Sequence, residues 1–319
     1  MSAIPVIMDV DTGTDDALAL AYAVESQKLD LLAVTTVAGN VNFERATANS
    51  LAVLDWLGAE DVPVHRGASR PLTRPHVDAA DIHHVGGLGG AEIPDSKRAL
   101  GSDRGPAAII RLANERPGEI TLIAVGPLTN VAIALNVEPR LPELLKAIVI
   151  MGGAFNVPGN TRPDGSWGKP GEAKPVAEFN IIVDPEAAQQ VFSAPFKSLT
   201  AVGLDVTTQV ALNRDDWDAV NAGSGLKPPA ALLREVGRHA FTSRAQDRFS
   251  LHDPLSAAVA ADPDLVGLEE AAVMVDMAGP EVGRTRIVGP GQVRVAVDVD
   301  KERALEEFRR TVGLPTSMR

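Results

Sequence analysis

The chain has 319 residues, 45% of them hydrophobic and 4% aromatic, with a formal net charge of −12 and no cysteine. That length buries a sizeable core, built here from Ala, Val, Leu and Ile, and the lack of thiols excludes disulfides and thiolate-bound metal. The acidic balance and the absence of any basic run argue against a nucleic-acid partner, which needs a cationic stripe to displace counterions from phosphates.

From the amino end, residues 4–8 read as a buried strand and 15–25 carry helical spacing. A strand over 31–37, a helix over 43–57 and a short strand over 62–65 follow. Residues 106–114 read as a helix, 120–125 as a strand, 128–135 as a helix and 147–151 as a strand. Further on come a helix over 185–192, a strand over 199–204, a long helix over 228–244 and a shorter one over 254–261. Residues 271–275, 285–288 and 292–297 favour strands, and 301–311 a closing helix. Continuous apolar strands alternating with helices predict an α/β fold, an open and mostly parallel sheet covered on both faces. The late strand cluster predicts a small antiparallel addition. The Gly- and Pro-rich stretches 70–105 and 156–174 read as loops, and no linker divides the 1–319 chain, so one domain is expected. No run of about 18 apolar residues occurs, so no membrane span is expected. The opening MSAIPVIMDV lacks the basic start and long apolar stretch of a signal peptide, which predicts a cytoplasmic setting.

The main chemical signal is the run from Asp9 to Asp16, reading DVDTGTDD directly after the first strand. Asp9 and Asp11 share a face if the strand continues, Gly13 permits a sharp turn, and Thr14 can cap the helix opened by Asp15 and Asp16. Acids at a helix start complement its dipole, but that does not account for Asp9 and Asp11. Crowded carboxylates away from water repel one another, and a hard divalent cation removes the conflict. Oxygen ligands without a Cys or His cluster favour calcium or magnesium over zinc. Such a cation can hold a water and lower its pKa, and a neighbouring aspartate can take the proton.

Polar groups recur at other expected strand ends: Asn40 and Asn42, Thr129 and Asn130, Gly152 and Gly153, Glu178 and Asn180, His252 and Asp253. Each alone reads equally as a turn or cap residue. Ligands of open α/β sheets bind beyond the carboxyl ends of the strands, so groups gathered there converge on one site.

These residues together resemble the nucleoside hydrolase family of the inosine–uridine-preferring type. The family's amino-terminal signature is similar to DxDPGxDDA, and the chain reads DVDTGTDDA, with Thr12 in place of the usual proline. The likeness continues through TTVAGN at Thr35, VGPLTN at Val125, MGG at Met151, AEFN at Ala177 and HDP at His252, in order. The resemblance implies a Rossmann-like fold and hydrolysis of the N-glycosidic bond of ribonucleosides, releasing ribose and free base. It implies calcium held by Asp11, Asp16 and Asp253 and by the Val125 carbonyl, with Asp11 as the base that deprotonates the calcium-bound water. Asp15, Asn40, Glu178 and Asn180 would hydrogen-bond the ribose, joined by Asn160 and by Asp253, with Met151 lining the ribose pocket. His252 would serve the leaving base as its acid, and His83 would contact it, while His84 is expected at the surface. Phe241, Arg244, Gln246 and Phe249 would close over the base, Tyr22 and Trp56 would pack, and the insertion 161–174 exceeds what the family leads one to expect. A homodimer or homotetramer is expected by the same analogy.

The chemistry agrees with that reading. Glycosidic bonds break through an oxocarbenium-like cation, which an acidic pocket stabilises. A site free of Arg and Lys predicts nucleosides rather than nucleotides as substrates. Two other readings stand beside it: a phosphatase of the haloacid dehalogenase type, with Asp9 as nucleophile, and a non-catalytic calcium-dependent nucleoside- or ribose-binding protein.

Overall fold

A computed structural model describes residues 2–162, 166 and 175–314. Strand β1 (Ile4–Val10) leads into helix α1 (Thr14–Glu25), β2 (Leu29–Thr36) into α2 (Phe43–Trp56), and β3 (Val64–Arg66) into a long connection. That connection holds the short α3 (Ala80–His83) before α4 (Gly105–Glu115). β4 (Thr121–Ala124), α5 (Thr129–Val137), α6 (Leu141–Leu144) and β5 (Ala147–Met151) follow, then α7 (Phe179–Val183), α8 (Pro185–Ser193), β6 (Leu199–Val202) and α9 (Leu204–Thr207). β7 (Ala211–Asn213), α10 (Arg214–Ala222), α11 (Pro228–Arg238) and β8 (Arg248–Ser250) precede α12 (His252–Ala261). The described chain closes with β9 (Val266–Val275), β10 (Thr285–Val299) and α13 (Lys301–Val312).

The main sheet has eight strands in the order β3-β2-β1-β4-β5-β6-β10-β9. All its pairings are parallel except the last, β10 with β9. Strand order reverses between β1 and β4, the crevice where ligands of such sheets bind. Side-chain alternation along β1 splits it between two cores: Val6, Met8 and Val10 join one, Ile7 the other. The first core contains Leu18 and Tyr22 of α1, Leu233 of α11 and Phe308 of α13. The second contains Ile109 of α4, Val131 of α5 and Val191 of α8. Each large aliphatic side chain buried this way contributes about 1.5–3 kcal/mol.

The antiparallel addition is the edge strand β9 together with a separate pair, β7 with β8. The two late strands expected at 285–288 and 292–297 are one strand, β10, whose pairing with β9 slips on both sides of Gly289. Pro290 lacks the N–H that a regular ladder needs, so the pattern in sequence looked broken. The expected long helix ends early, at Arg238, and widens into a π turn over His239–Ser243, where Arg244 N donates to His239 O at 2.9 Å. Likewise the strand expected over 199–204 stops at Val202, and Leu204 starts α9. Of the 156–174 loop, Thr161 pairs with Ala177, while most of the expected insertion lies outside the described residues. No described helix is long and apolar enough to cross a membrane.

Candidate active site

β1 ends at Val10, and the chain turns so that Gly13, not Thr14, caps α1. The Asp16 carboxylate folds back over this turn, accepting from Asp11 N at 3.0 Å and Gly13 N at 2.8 Å. Thr14, expected as the cap, is the first helical residue, and its N–H and hydroxyl lie 3.1 and 2.9 Å from His83 Nδ1. After β2, Gly39 lets the chain pass so close to Asp11 that any Cβ there would overlap its carboxylate. Asn40 is more than a turn residue: its N–H donates to Asp11 Oδ2 at 2.6 Å and its amide to Asp16 Oδ2 at 3.0 Å.

Asp9 lies elsewhere. It faces the second core, where Thr35 Oγ1 and Asn130 Nδ2 donate to its Oδ1 at 2.5 and 2.7 Å. Asn130 also donates to Thr36 O at 3.0 Å and accepts from Ala68 N at 2.7 Å, so it ties β1, β2 and the chain after β3 together. Burial pushes the Asp9 carboxyl up to about 7, against the pull of those hydrogen bonds. Asp9 is fully buried, and its hydrogen bonds run to Thr35 and Asn130 rather than to the acidic cluster.

Asp15, Asp16 and Asp253 each bring one oxygen within 4.8 Å of the others, and Asp11 adjoins them. Burial, then the Asp16 charge, raises Asp11 well above the carboxylate range; burial and the three neighbouring carboxylates do the same to Asp253. Burial carries Asp15 up to about 6. Asp11 Oδ1 and Asp15 Oδ1 are buried with no hydrogen-bond partner among the described residues. Two orphaned carboxylate oxygens beside a carboxylate triplet fit a hard divalent cation, which neutralises the repulsion and supplies the missing partner. Asp15, expected at the ribose, thus stands among the candidate ligands as well.

On the far side, Glu178 caps α7, accepting from Asn180 N at 3.0 Å and Ile181 N at 3.2 Å, and from Gly153 N at 3.2 Å. Burial still raises it to about 7. The Asn180 amide donates to Val125 O at 2.8 Å and Met151 O at 3.1 Å, joining the ends of β4 and β5. Asn160 Oδ1 is buried and has no hydrogen-bond partner among the described residues. His252 opens α12, its Nδ1 2.8 Å from Thr207 Oγ1. Burial lowers both His83 and His252 to about 4, so each imidazole is neutral near pH 7.

One cavity gathers Asp15, Asn40, His83, Val125, Met151, Asn160, Glu178, Asn180, His252 and Asp253, with Asp11 and Asp16 behind its floor. Of the four residues expected over the base, Arg244, Gln246 and Phe249 line it, whereas Phe241 is buried and stacks on Trp217 with ring centroids 5.6 Å apart. The site is not free of cations, contrary to expectation: Arg244 and Arg248 both line the cavity. The Arg244 guanidinium has no hydrogen bond or ion pair among the described residues. Sequence reasoning also missed Thr207 and His239, because α9 is a single turn and the π turn falls inside an apparently continuous helical pattern.

A doubly covered parallel sheet with an acidic, cation-ready cavity at its strand-order reversal places the protein among the α/β proteins that bind their ligands beyond the carboxyl ends of the strands. Residues 6–306 match the family described as inosine-uridine preferring nucleoside hydrolase, and the chain belongs to that family. It is 36% identical over 307 residues to the non-specific ribonucleoside hydrolase RihC of Escherichia coli (strain SE11), covering 93% of this chain and 94% of the relative. To uridine nucleosidase 1 of Arabidopsis thaliana it is 33% identical over 328 residues, 97% and 93% of the two chains. Among solved structures, a plant nucleoside hydrolase superposes with a TM-score of 0.86 at 33% identity, covering 98% of this chain and 99% of that one. As a member of this family the chain is a nucleoside N-ribohydrolase.

Proposed function

We propose that the protein, acting as a single domain, hydrolyses the N-glycosidic bond of ribonucleosides with calcium in the Asp15–Asp16–Asp253 cluster. The observation that carries this is the juxtaposition of the buried Asp15 oxygen, partnerless among the described residues, with Asn40, Asn160, Glu178 and Asn180 in one cavity, the equally partnerless Asp11 oxygen lying behind its floor. Asp11, Asp15, Asp16 and Asp253, with the Val125 carbonyl, would hold the ion. When bound, such an ion polarises a water and lowers its pKa.

Asp11, oriented by Asn40 N–H, accepts the proton of the attacking water. Asn40, Asn160, Glu178 and Asn180 fix the ribose hydroxyls, and the acidic floor stabilises positive charge as it develops on the sugar. His83 and His252 face the leaving base. A homodimer or homotetramer belongs to the same proposal and rests on family analogy.

The test is a turnover panel of inosine, uridine, cytidine, adenosine and guanosine, read by ribose release with and without calcium. Calcium-dependent release from at least one nucleoside is expected. Tight binding of a ribose analogue with no turnover of any nucleoside would leave a binding protein instead.

A further inference from the structure

Helix α9 is one turn long and follows β6 directly. Its last residue, Thr207, is fully buried, and its hydroxyl lies 2.8 Å from His252 Nδ1. No other hydrogen bond of that hydroxyl exists among the described residues. A buried hydroxyl carries one proton to donate, and an unsatisfied buried donor costs about 1–3 kcal/mol. Nδ1 is the acceptor in reach, an arrangement that favours the ring with Nδ1 unprotonated. The ring proton then sits on Nε2, the nitrogen left for the cavity that His252 lines. His83 is set in the same sense, because its Nδ1 accepts from the Thr14 backbone N–H, a group that can only donate.

We propose that Thr207 is a positioning residue that fixes His252 as the Nε2–H tautomer, so that the ring donates a hydrogen bond to the nucleobase as it departs. This deepens the ribonucleoside hydrolase reading and rests on it. As the bond between C1′ and the base breaks, its electron pair moves onto the base nitrogen. The Nε2–H group stabilises that charge without surrendering its proton, since loss of it would leave an imidazolate. Water supplies hydroxide to C1′ and, through solvent, the proton the base finally takes up. In this proposal His252 acts as a fixed donor dipole aimed at the leaving group.

Thr207→Val keeps the shape and removes the hydroxyl; Thr207→Ser keeps the hydroxyl. Each is assayed on inosine and uridine and on p-nitrophenyl β-D-ribofuranoside, whose leaving group is already a stable anion. Thr207→Val should lower kcat on the nucleosides by about tenfold to a hundredfold, within the range of hydrogen-bond and proton-transfer assistance. The loss on the nitrophenyl riboside should be much smaller, and Thr207→Ser should restore the nucleoside rate. In parallel, ¹⁵N spectra of the His252 ring, assigned by its absence in His252→Gln, should show a protonated Nε2 in the wild type and a shift toward protonated Nδ1 in Thr207→Val. Equal losses on both leaving groups, no loss on either, or a wild-type ring protonated at Nδ1 would overturn the proposal. A wild type that cleaves no nucleoside would remove the hydrolase reading, while the ring spectra still decide what Thr207 does.

Discussion

Where the cavity meets the carboxyl ends of β1 and β4, the acidic groups are gripped by their neighbours: Asp16 by two backbone N–H groups, Asp11 by Asn40, Glu178 by three N–H groups. On the facing wall the chain passes from α11 through the π turn to β8, and the Arg244 guanidinium there has no hydrogen bond or ion pair among the described residues. The floor rests on the central strands of the main sheet; the wall rests on a two-stranded pair and a widened helix end. A floor held this tightly keeps its geometry through the reaction and suits the sugar, whose hydroxyls are the same in every ribonucleoside. A loosely tied wall suits the base, which differs from one substrate to the next.

The sharpest way to break this contrast is to remove the cation. Chelation should abolish turnover, and calcium should restore it. It should also expose the electrostatic cost of the floor. Burial holds Asp15 at about 6 and Glu178 at about 7. A carboxyl raised in the folded state adds stability below its unfolded pKa of about 4 and loses it as pH climbs through the folded value. The cation-free protein should therefore melt at a lower temperature at about pH 8 than at about pH 5. Calcium should reverse that trend, because it binds the ionised form. Equal melting points at both pH values in chelator would mean that the crowded carboxyls of the floor carry no such cost.

Next in size is Asp11→Ala, which should lower kcat by about 10²–10⁴. Its stability should change little, because the substitution also relieves carboxylate crowding. Two residues earlier the expectation inverts. Asp9→Ala strands the Thr35 hydroxyl and one bond of Asn130, at a cost of about 1–3 kcal/mol in unfolding free energy. Turnover should fall far less than in Asp11→Ala. Denaturant melts and steady-state rates of the pair measure both; a large rate loss with intact stability in Asp9→Ala would place Asp9 in the chemistry.

The same division decided what the sequence disclosed. β1, β2, β4 and β5 are mostly apolar runs, each followed by a polar cluster, so these central strands could be read from the sequence, with their ends displaced by a residue or two in β1, β2 and β4. Asp11, Asp16, Asn40, Glu178 and Asp253 stand at strand ends or helix starts, where spacing alone suggests convergence. Which oxygen meets which could not be read: Asp9 and Asp11 look alike in sequence, yet one is held by Thr35 and Asn130 and the other by Asn40 beside the acidic cluster. On the wall, α10 buries only Asp216, Trp217 and Val220 and leaves little apolar periodicity to detect. The π turn keeps Ala240 and Phe241 buried while Arg244 shifts round into the cavity, a change of pitch that a regular helical pattern does not signal. Thr207 was missed because a threonine in a one-turn helix has no signature apart from its partner.

The smallest expected effect tests the wall itself. Arg244 is half-buried, its guanidinium has no ion pair among the described residues, and burial lowers its pKa while the charge of Asp81 raises it. A cation facing an acidic floor across a cavity matches a substrate that becomes positive at its sugar and electron-rich at its base. Arg244→Ala should therefore lower kcat/KM by about tenfold for bases that present a carbonyl oxygen, as inosine and uridine do, the lower end of the range of about 1.5–3 kcal/mol for one charge-assisted hydrogen bond. Adenosine, whose amino group stands where inosine carries oxygen, should be affected less, so the order of base preference shifts while the ribose chemistry is untouched. Because the side chain holds nothing else in place, the stability should stay within the change expected of a surface substitution, about 0.5 kcal/mol. Uniform loss across all bases would instead tie Arg244 to the sugar and erase the distinction between wall and floor.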